Sequence, residues 1–433
     1  MSAEATVPPT TVDQKQHATF FRQSGWLMMA NIIGGLMTLG VHFLAKVVPE
    51  NQYSIFGTLL MVTACVPILP LQMVFAQQTA NALATDRRRQ LAGMIQLGTL
   101  LTFGVWLAVN LGVLAFQGRI LDRWQLGQPV VLWVTMAAVL ANLWMPLFCG
   151  VLQGRQDFFW LGWATIANGA MRLAVAAAFV FLVSRSATGM MLGTFMGIAA
   201  WAGVAMWRTR DLSCVRSEPF DWRSFLGQVV PLMLGFGACQ VLFTSDSIFV
   251  KAYFSGKEMA PYVAAGTLSR GLLWLVLPMA LVMFPKIVQS HAKSGKTNLL
   301  PVVLLGTAIL AICGGAALCL VGPWVVRLVY EPGYVAATTA LLPWYAGAMV
   351  PLALANVLAN DLLARGRFRV VPLMVVLTVA YGITLPYLLN HYHGHAGLKA
   401  VLQALGGYNL LLLLVCGLFA WVDTREVRVE TGS

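Results

Sequence analysis

The sequence predicts an all-α polytopic membrane protein with twelve transmembrane helices in two pseudo-symmetric six-helix lobes. Three observations carry that class. Of 433 residues, 59% are hydrophobic and only 10% charged, whereas a soluble domain carries about 25% charge. The apolar residues gather into twelve long runs. Short blocks of sequence recur between the two halves at a nearly constant offset.

The composition excludes a soluble globule of this size, which would lack a wet surface. It also excludes a disordered chain, which needs low hydrophobicity and high charge. A span takes about 20 apolar residues. Runs long enough to cross lie near 24–45, 54–77, 93–116, 129–152, 159–183, 188–207, 225–250, 262–285, 300–322, 335–360, 370–390 and 397–421. They are continuous rather than alternating, so they read as helices and not barrel strands. Residues 1–23 are polar, with no apolar stretch of the kind a cleaved signal needs, and the first run reads as an uncleaved anchor. The seven cysteines show no C-x-x-C spacing and read as small buried side chains.

The loops set the expected orientation. One set, with both ends of the chain, Arg87-Arg88-Arg89, Arg155, 208–224, 286–296 and Arg365-x-Arg367-x-Arg369, holds 18 of the 28 basic residues. The other set holds 8, and Arg172 and Arg270 lie inside spans. The excess marks the first set as cytoplasmic, which puts both termini inside, as an even number of spans requires. The net charge of +12 then reflects loops beside anionic lipid and needs no nucleic acid. Read by segment, the chain has a cytoplasmic start (1–23), an N-lobe (24–207), a linker (208–224), a C-lobe (225–421) and a cytoplasmic tail (422–433). The longest loop between spans has about 17 residues, so the function is expected among the helices.

The repeat aligns Tyr53-x-x-x-Gly57-Thr58-Leu59 with Tyr262-x-x-x-Gly266-Thr267-Leu268, and Phe75 with Phe284, at an offset of 209. Leu152-x-x-Arg155-x-x-Phe158 meets Leu362-x-x-Arg365-x-x-Phe368 at 210, and the segment ending in Lys46 meets that ending in Lys251 at 205. Six spans per half is an even number, so the halves share one topology. Such parallel repeats are used by alternating-access transporters, with the substrate near the midplane between them.

The stretch from Asp246 to Lys286 places an aspartate late in one span, then a short loop, Tyr262-x-x-Ala265, Arg270 and a closing Phe284-Pro285. With the Gly154-Arg155-x-x-Phe158 and Arg365-Gly366-x-Phe368 turns, it resembles the polysaccharide-export, O-antigen-flippase-like branch of the MOP (multidrug/oligosaccharidyl-lipid/polysaccharide) exporter superfamily. That superfamily also holds the MATE-type multidrug exporters. The resemblance implies a MATE-like fold and a monomeric flippase in the bacterial inner membrane. Its implied cargo is an undecaprenyl-linked oligosaccharide, and its implied partners are the lipid bilayer and polysaccharide-assembly proteins. The related lipid II flippases carry two further spans. The implied energy source is H+ or Na+ exchange or the membrane potential, with no cofactor. No Walker motif supports direct use of ATP.

Charge inside the bilayer is costly, about 2.5–3.5 kcal/mol or more at the centre, and so marks function by default. The candidates for an anionic headgroup are Arg270, Arg172, Lys46 and Lys251, since arginine stays charged and grips phosphate with a planar fork. Against this stand an ion pair of Arg270 with Asp246 and lysines that only reach for the interface. Asp246 and His42 are the candidates for coupling or ion pairing. Pro70, Pro278 and Pro285 are the candidate kinks for gating. His391-x-His393-x-His395 has no Cys or carboxylate beside it and is not read as a metal site. A drug exporter for organic cations would want carboxylates, and the first six spans hold none. A membrane-embedded glycan polymerase or ligase would want paired carboxylates and a sizeable outer loop. The outer loops offer only scattered Glu50, Asp122, Glu258 and Glu331.

Overall fold

The computed structural model describes residues 11–213, 218, 222–273, 300–330 and 333–430. In chain order the helices are α1 (Thr11–Gly40), α2 (Glu50–Ala64), α3 (Ile68–Ala84), α4 (Arg88–Ala115), α5 (Gln117–Trp124), α6 (Pro129–Gly154), α7 (Phe158–Leu182) and α8 (Ala187–Ser213). Then follow α9 (Trp222–Lys251), α10 (256–273), α11 (Leu300–Val329), α12 (Tyr334–Ala364), α13 (Val371–His391) and α14 (Gly394–Glu430). Among the described residues eleven helices are long and apolar enough to cross a membrane. The twelfth expected span, 262–285, is described as far as residue 273. Pro278, Pro285 and the 286–296 loop lie outside the described residues.

The helices form two lobes. In the first, α7 packs against α1 and α8, and α6 against α3, α4 and α8. In the second, α12 packs against α11 and α14, and α13 against α9 and α14. The lobes meet where α2 and α3 lie against α9. One end of the bundle carries Lys46 and Lys251 and is called here the lysine end. The opposite, arginine end carries Arg155 and Arg365.

The duplication is visible in the backbone. At the C-terminus of α6, Arg155 N donates to Val151 O (3.0 Å), Gln156 N to Gln153 O (3.0 Å) and Asp157 N to Leu152 O (2.9 Å). At the C-terminus of α12, Arg365, Gly366 and Arg367 donate to Asp361, Leu363 and Leu362 (3.1, 3.1 and 2.9 Å). The pattern is the same, displaced by 210 residues. The helix stop needs a left-handed residue, supplied by Gln156 (φ 58°) in one half and Gly366 (φ 71°) in the other. Arg155 is further held by both oxygens of Asp211, at 3.0 and 2.7 Å.

Several details depart from the sequence reading. The second expected span is two helices, broken at Cys65–Pro67. Pro70, the expected kink, sits in the first turn of α3, where its missing N–H leaves no helical bond unmade. The break falls at Pro67 instead. Pro67 cannot donate to Thr63, and Asn142 Nδ2 of α6 takes that carbonyl (2.8 Å). The next one, Ala64 O, is taken by Gln240 Nε2 of α9, from the other lobe (2.5 Å). At membrane depth a freed carbonyl needs such a partner, so a donor from each lobe stabilises the break. The first span ends in a 3-10 turn, Val41–Lys46, and a short helix, α5, joins the third and fourth. Helix α1 starts at Thr11, inside the expected tail, α8 runs to Ser213 and α14 continues to Glu430.

Candidate functional site

The charged residues singled out in the spans fall into three settings; Asp361 of α12, also buried, pairs with Arg365 at the arginine end (2.9 Å). The first is in the second lobe. Arg270 Nη2 donates to Asp246 Oδ1 (2.7 Å) and to Ser247 Oγ (2.9 Å), and its Nε to Phe243 O (2.8 Å). The carboxylate also accepts the hydroxyls of Tyr262 (2.8 Å, on Oδ2) and Tyr345. The guanidinium lies over the rings of Phe243 and Tyr345, at 5.5 and 5.2 Å. Asp246 is fully buried and Arg270 is 4% exposed. This is a neutral, saturated cluster. Of the two readings the sequence left open for Arg270, the geometry is that of the ion pair.

The second setting is in the first lobe. Arg172 lies midway along α7, ten residues from its lysine end, or about 15 Å at 1.5 Å per residue. It is 8% exposed, and its buried Nε has no hydrogen-bond partner. One turn earlier on the same face, the buried Asn168 Oδ1 is also unpartnered. Helix α8 passes close by because it carries glycine there: a Cβ at Gly197 would come within 2.8 Å of both Arg172 Cβ and Asn168 Oδ1. No carboxylate lies within 4 Å of Arg172 among the described residues. Among the described residues it therefore has no paired counter-ion, and the acids of α2 and α8, Glu50 and Asp211, lie near their helix ends, Asp211 being paired with Arg155.

The third setting is the contact between lobes near the lysine end. His42 Nδ1 lies 2.9 Å from the Tyr53 hydroxyl, which donates to the Tyr330 hydroxyl of the other lobe (3.2 Å). Which of the two donates in the His42–Tyr53 bond depends on the histidine tautomer. Burial pushes the Tyr330 phenol up to about 12, so it stays a neutral hydroxyl. Lys251 donates to Ser54 Oγ across the same seam (3.1 Å), whereas Lys46 is exposed. The seam is tight. A Cβ at Gly57 of α2 would collide with Val263 of α10, and one at Gly256 would come within 2.6 Å of Asn51. The duplication shows here too. Tyr53 and Tyr262, 209 apart, each bond a polar residue late in the preceding span: His42 in one half, Asp246 in the other.

Sequence reasoning thus named the charges but not their partners. It did not connect the polar residues Asn142 and Gln240 with the break at Pro67. Two prolines in four residues, Pro67 and Pro70, with polar amides on facing spans were the available signal.

The comparisons agree with this architecture. The family profile described as "Polysaccharide biosynthesis protein" matches residues 20–291, which is 272 of the 433 residues. The chain therefore belongs to that polysaccharide biosynthesis protein family. No curated protein sequence is significantly similar to it. Among solved structures it resembles an inward-facing multidrug resistance MATE family transporter of the MOP superfamily. That match has a TM-score of 0.73 at 12% identity, covering 93% of this chain and 96% of the other. It also resembles the lipid II flippase MurJ in an inward closed conformation, with a TM-score of 0.65 at 14% identity over 91% of this chain and 87% of that one. A third is a MOP superfamily transporter from Pyrococcus furiosus described as having reverse polarity of its binding pocket. Its TM-score is 0.61 at 14% identity, over 95% and 96% of the chains. At these identities the likeness is one of fold.

Proposed function

We propose that this protein is a flippase that carries a lipid-linked oligosaccharide, a polysaccharide precursor, across the bacterial cytoplasmic membrane by alternating access. Both termini and the arginine end face the cytoplasm, and the lysine end faces out. One observation carries the reading. Within a chain of the polysaccharide biosynthesis family, Arg172 is a buried cation with no carboxylate within 4 Å among the described residues, while Arg270 is paired with Asp246. A lobe with an uncompensated guanidinium suits a cargo that brings its own negative charge, such as the diphosphate of an undecaprenyl carrier. It does not suit an organic cation. In this reading the phosphate meets Arg172, with Asn168 beside it, the sugars fill the space between the lobes and the lipid tail stays in the bilayer. The Asp246–Arg270 pair organises the second lobe. A single chain supplies the whole path and hands the glycan to assembly proteins outside.

The test uses proteoliposomes with a fluorescent polyprenyl-diphosphate-linked sugar, scored for movement between leaflets. Arg172→Lys is expected to keep partial activity, Arg172→Ala to lose most of it and Arg172→Glu to lose all of it, with each protein folded. Equal activity in the three variants would overturn the assignment. Efflux of an organic cation by the wild type, with no movement of the lipid-linked sugar, would instead favour a MATE-type cation-coupled exporter.

A further inference from the structure

Lys251 is the last residue of α9 and is fully buried. Among the described residues its Nζ has one polar partner, the Ser54 hydroxyl at 3.1 Å. That hydroxyl donates in turn to Asn51 O (2.7 Å) and accepts from the lysine. Among the described residues no carboxylate lies within 4 Å of Lys251. An ammonium has three donors and strong hydration. Burying it against one neutral hydroxyl is unfavourable, whereas a neutral amine fits.

The burial is conditional. Ser54 belongs to α2 of the other lobe, next to Tyr53, whose hydroxyl reaches Tyr330 across the same seam. Parting the lobes at the lysine end would break both contacts together and expose Lys251 to water. Its titratable and charged neighbours are otherwise engaged or point outward. On the first lobe His42 bonds Tyr53, Lys46 is exposed, Glu50 is half-buried, Asp122 is exposed and Arg123 lies over the Tyr253 ring at 4.6 Å. On the second, Asp246 is held by Arg270, Glu258 bonds Ser255, Tyr262 and Tyr345 bond Asp246, and Lys257, Arg327, His391 and Lys399 are exposed.

We propose that Lys251 is a proton-binding site that governs the gate at the lysine end. With the seam closed, Lys251 is a neutral amine. When the seam parts, the nitrogen lone pair takes a proton from the outer solution and forms a third N–H bond. The resulting ammonium cannot return to the seam until it gives that proton up. Desolvation opposes the charged form, so acid on the lysine side favours the open gate and alkali the closed one. The inference rests on the alternating-access reading but not on the identity of the cargo.

The test is a distance measurement on the purified full chain in liposomes, without cargo. Ketone-bearing residues introduced at Gly118 and Lys257, both exposed near the lysine end, carry spin labels, and the label–label distance is read at about pH 6 and about pH 9.5, on either side of the range a buried lysine can titrate. The wild type is expected to gain a longer-distance population on acidification, at least about twofold over its alkaline value. Lys251→Met is expected to stay short at both pH values and Lys251→Arg to stay long at both. A wild-type distance that ignores pH, or an acid shift that survives in Lys251→Met, would overturn the proposal. If Lys251→Met does not fold, Lys251→Gln serves in its place, and the wild-type titration decides by itself whether a gate of this kind exists. Failure of sugar movement in the separate transport assay leaves this readout untouched.

Discussion

Replacing Asp246 with Asn, Arg270 with Met, and both together tests how the second lobe treats its charges. The single Asp246→Asn variant strands a guanidinium that is 4% exposed, leaving it neutral acceptors among the described residues, Phe243 O, Ser247 Oγ and the new amide oxygen. The single Arg270→Met variant strands a fully buried carboxylate with two phenols as donors. Breaking a buried pair from one side costs about 3–5 kcal/mol, because an uncompensated charge remains. The double variant has no charge, and its amide side chain in place of the Asp246 carboxylate keeps an oxygen that both phenols can reach. It loses the guanidinium's bonds to Phe243 and Ser247, worth about 1 kcal/mol each. The double variant is therefore expected to be no less stable than the milder single one, with a coupling energy of at least about 3 kcal/mol, at or above the upper end for residues in contact. Unfolding in detergent by SDS titration reads all four corners of the cycle. Additive losses, with coupling below about 0.5 kcal/mol, would refute the reasoning. Transport measured on the same proteins separates structure from cargo binding. A folded double variant that still moves the lipid-linked sugar leaves Arg270 a structural role, and a folded but inactive one returns Arg270 to the cargo path.

Three further outcomes follow from single positions. Gln156 holds a left-handed conformation that its counterpart assigns to Gly366, so Gln156→Gly should stabilise the protein by about 0.5–1 kcal/mol and Gly366→Ala should cost about 1 kcal/mol, both read as shifts in thermal midpoint; shifts of the same sign would contradict the repeat geometry. Gln240→Leu should leave the Ala64 carbonyl unpaired at the break and cost about 1–3 kcal/mol, with Asn142→Leu doing the same at Thr63; unchanged midpoints would mean that the break does not depend on them. Gly57→Leu cannot seat its side chain against Val263, so it should hold the lysine end apart and raise hydrogen exchange across 50–60 roughly tenfold, about 1.4 kcal/mol of lost protection; unchanged exchange would show that the seam has room.

The membrane class, the span positions and the six-plus-six duplication were legible because they rest on composition and period, which need no partner. Even the backbone of the two helix stops was implicit in the offset of 210. Partnerships were harder. Asp246 and Arg270 lie 24 residues apart on different helices, and sequence could only say that their depths were similar. Lys251 looks like any lysine at the end of a span, free to reach for the interface. It is buried because the other lobe brings Ser54 over it, and a reading of one helix at a time cannot see that. The break at Pro67 was hidden for the same reason. Pro70 stood at nearly the same position as Pro278 in the repeat, but the carbonyls that need partners are set by the first proline of the pair.

The duplication also shows where the halves had to diverge. Each half builds the same frame: a tyrosine at the start of its second span, bonded to a polar residue late in its first, and the same helix stop after its fourth. Onto that frame the second half places a carboxylate and an arginine that cancel. The first half places a histidine and, one helix over, an arginine that no carboxylate among the described residues pairs with. If the cargo is the anionic headgroup proposed above, two neutral lobes would give it no reason to enter, and two cationic lobes would repel each other when the seam closes. One neutral and one positive lobe avoids both. Closure then brings Lys251 into the seam, where a second fixed charge would be costly, and a lysine, unlike an arginine, can shed its charge to fit.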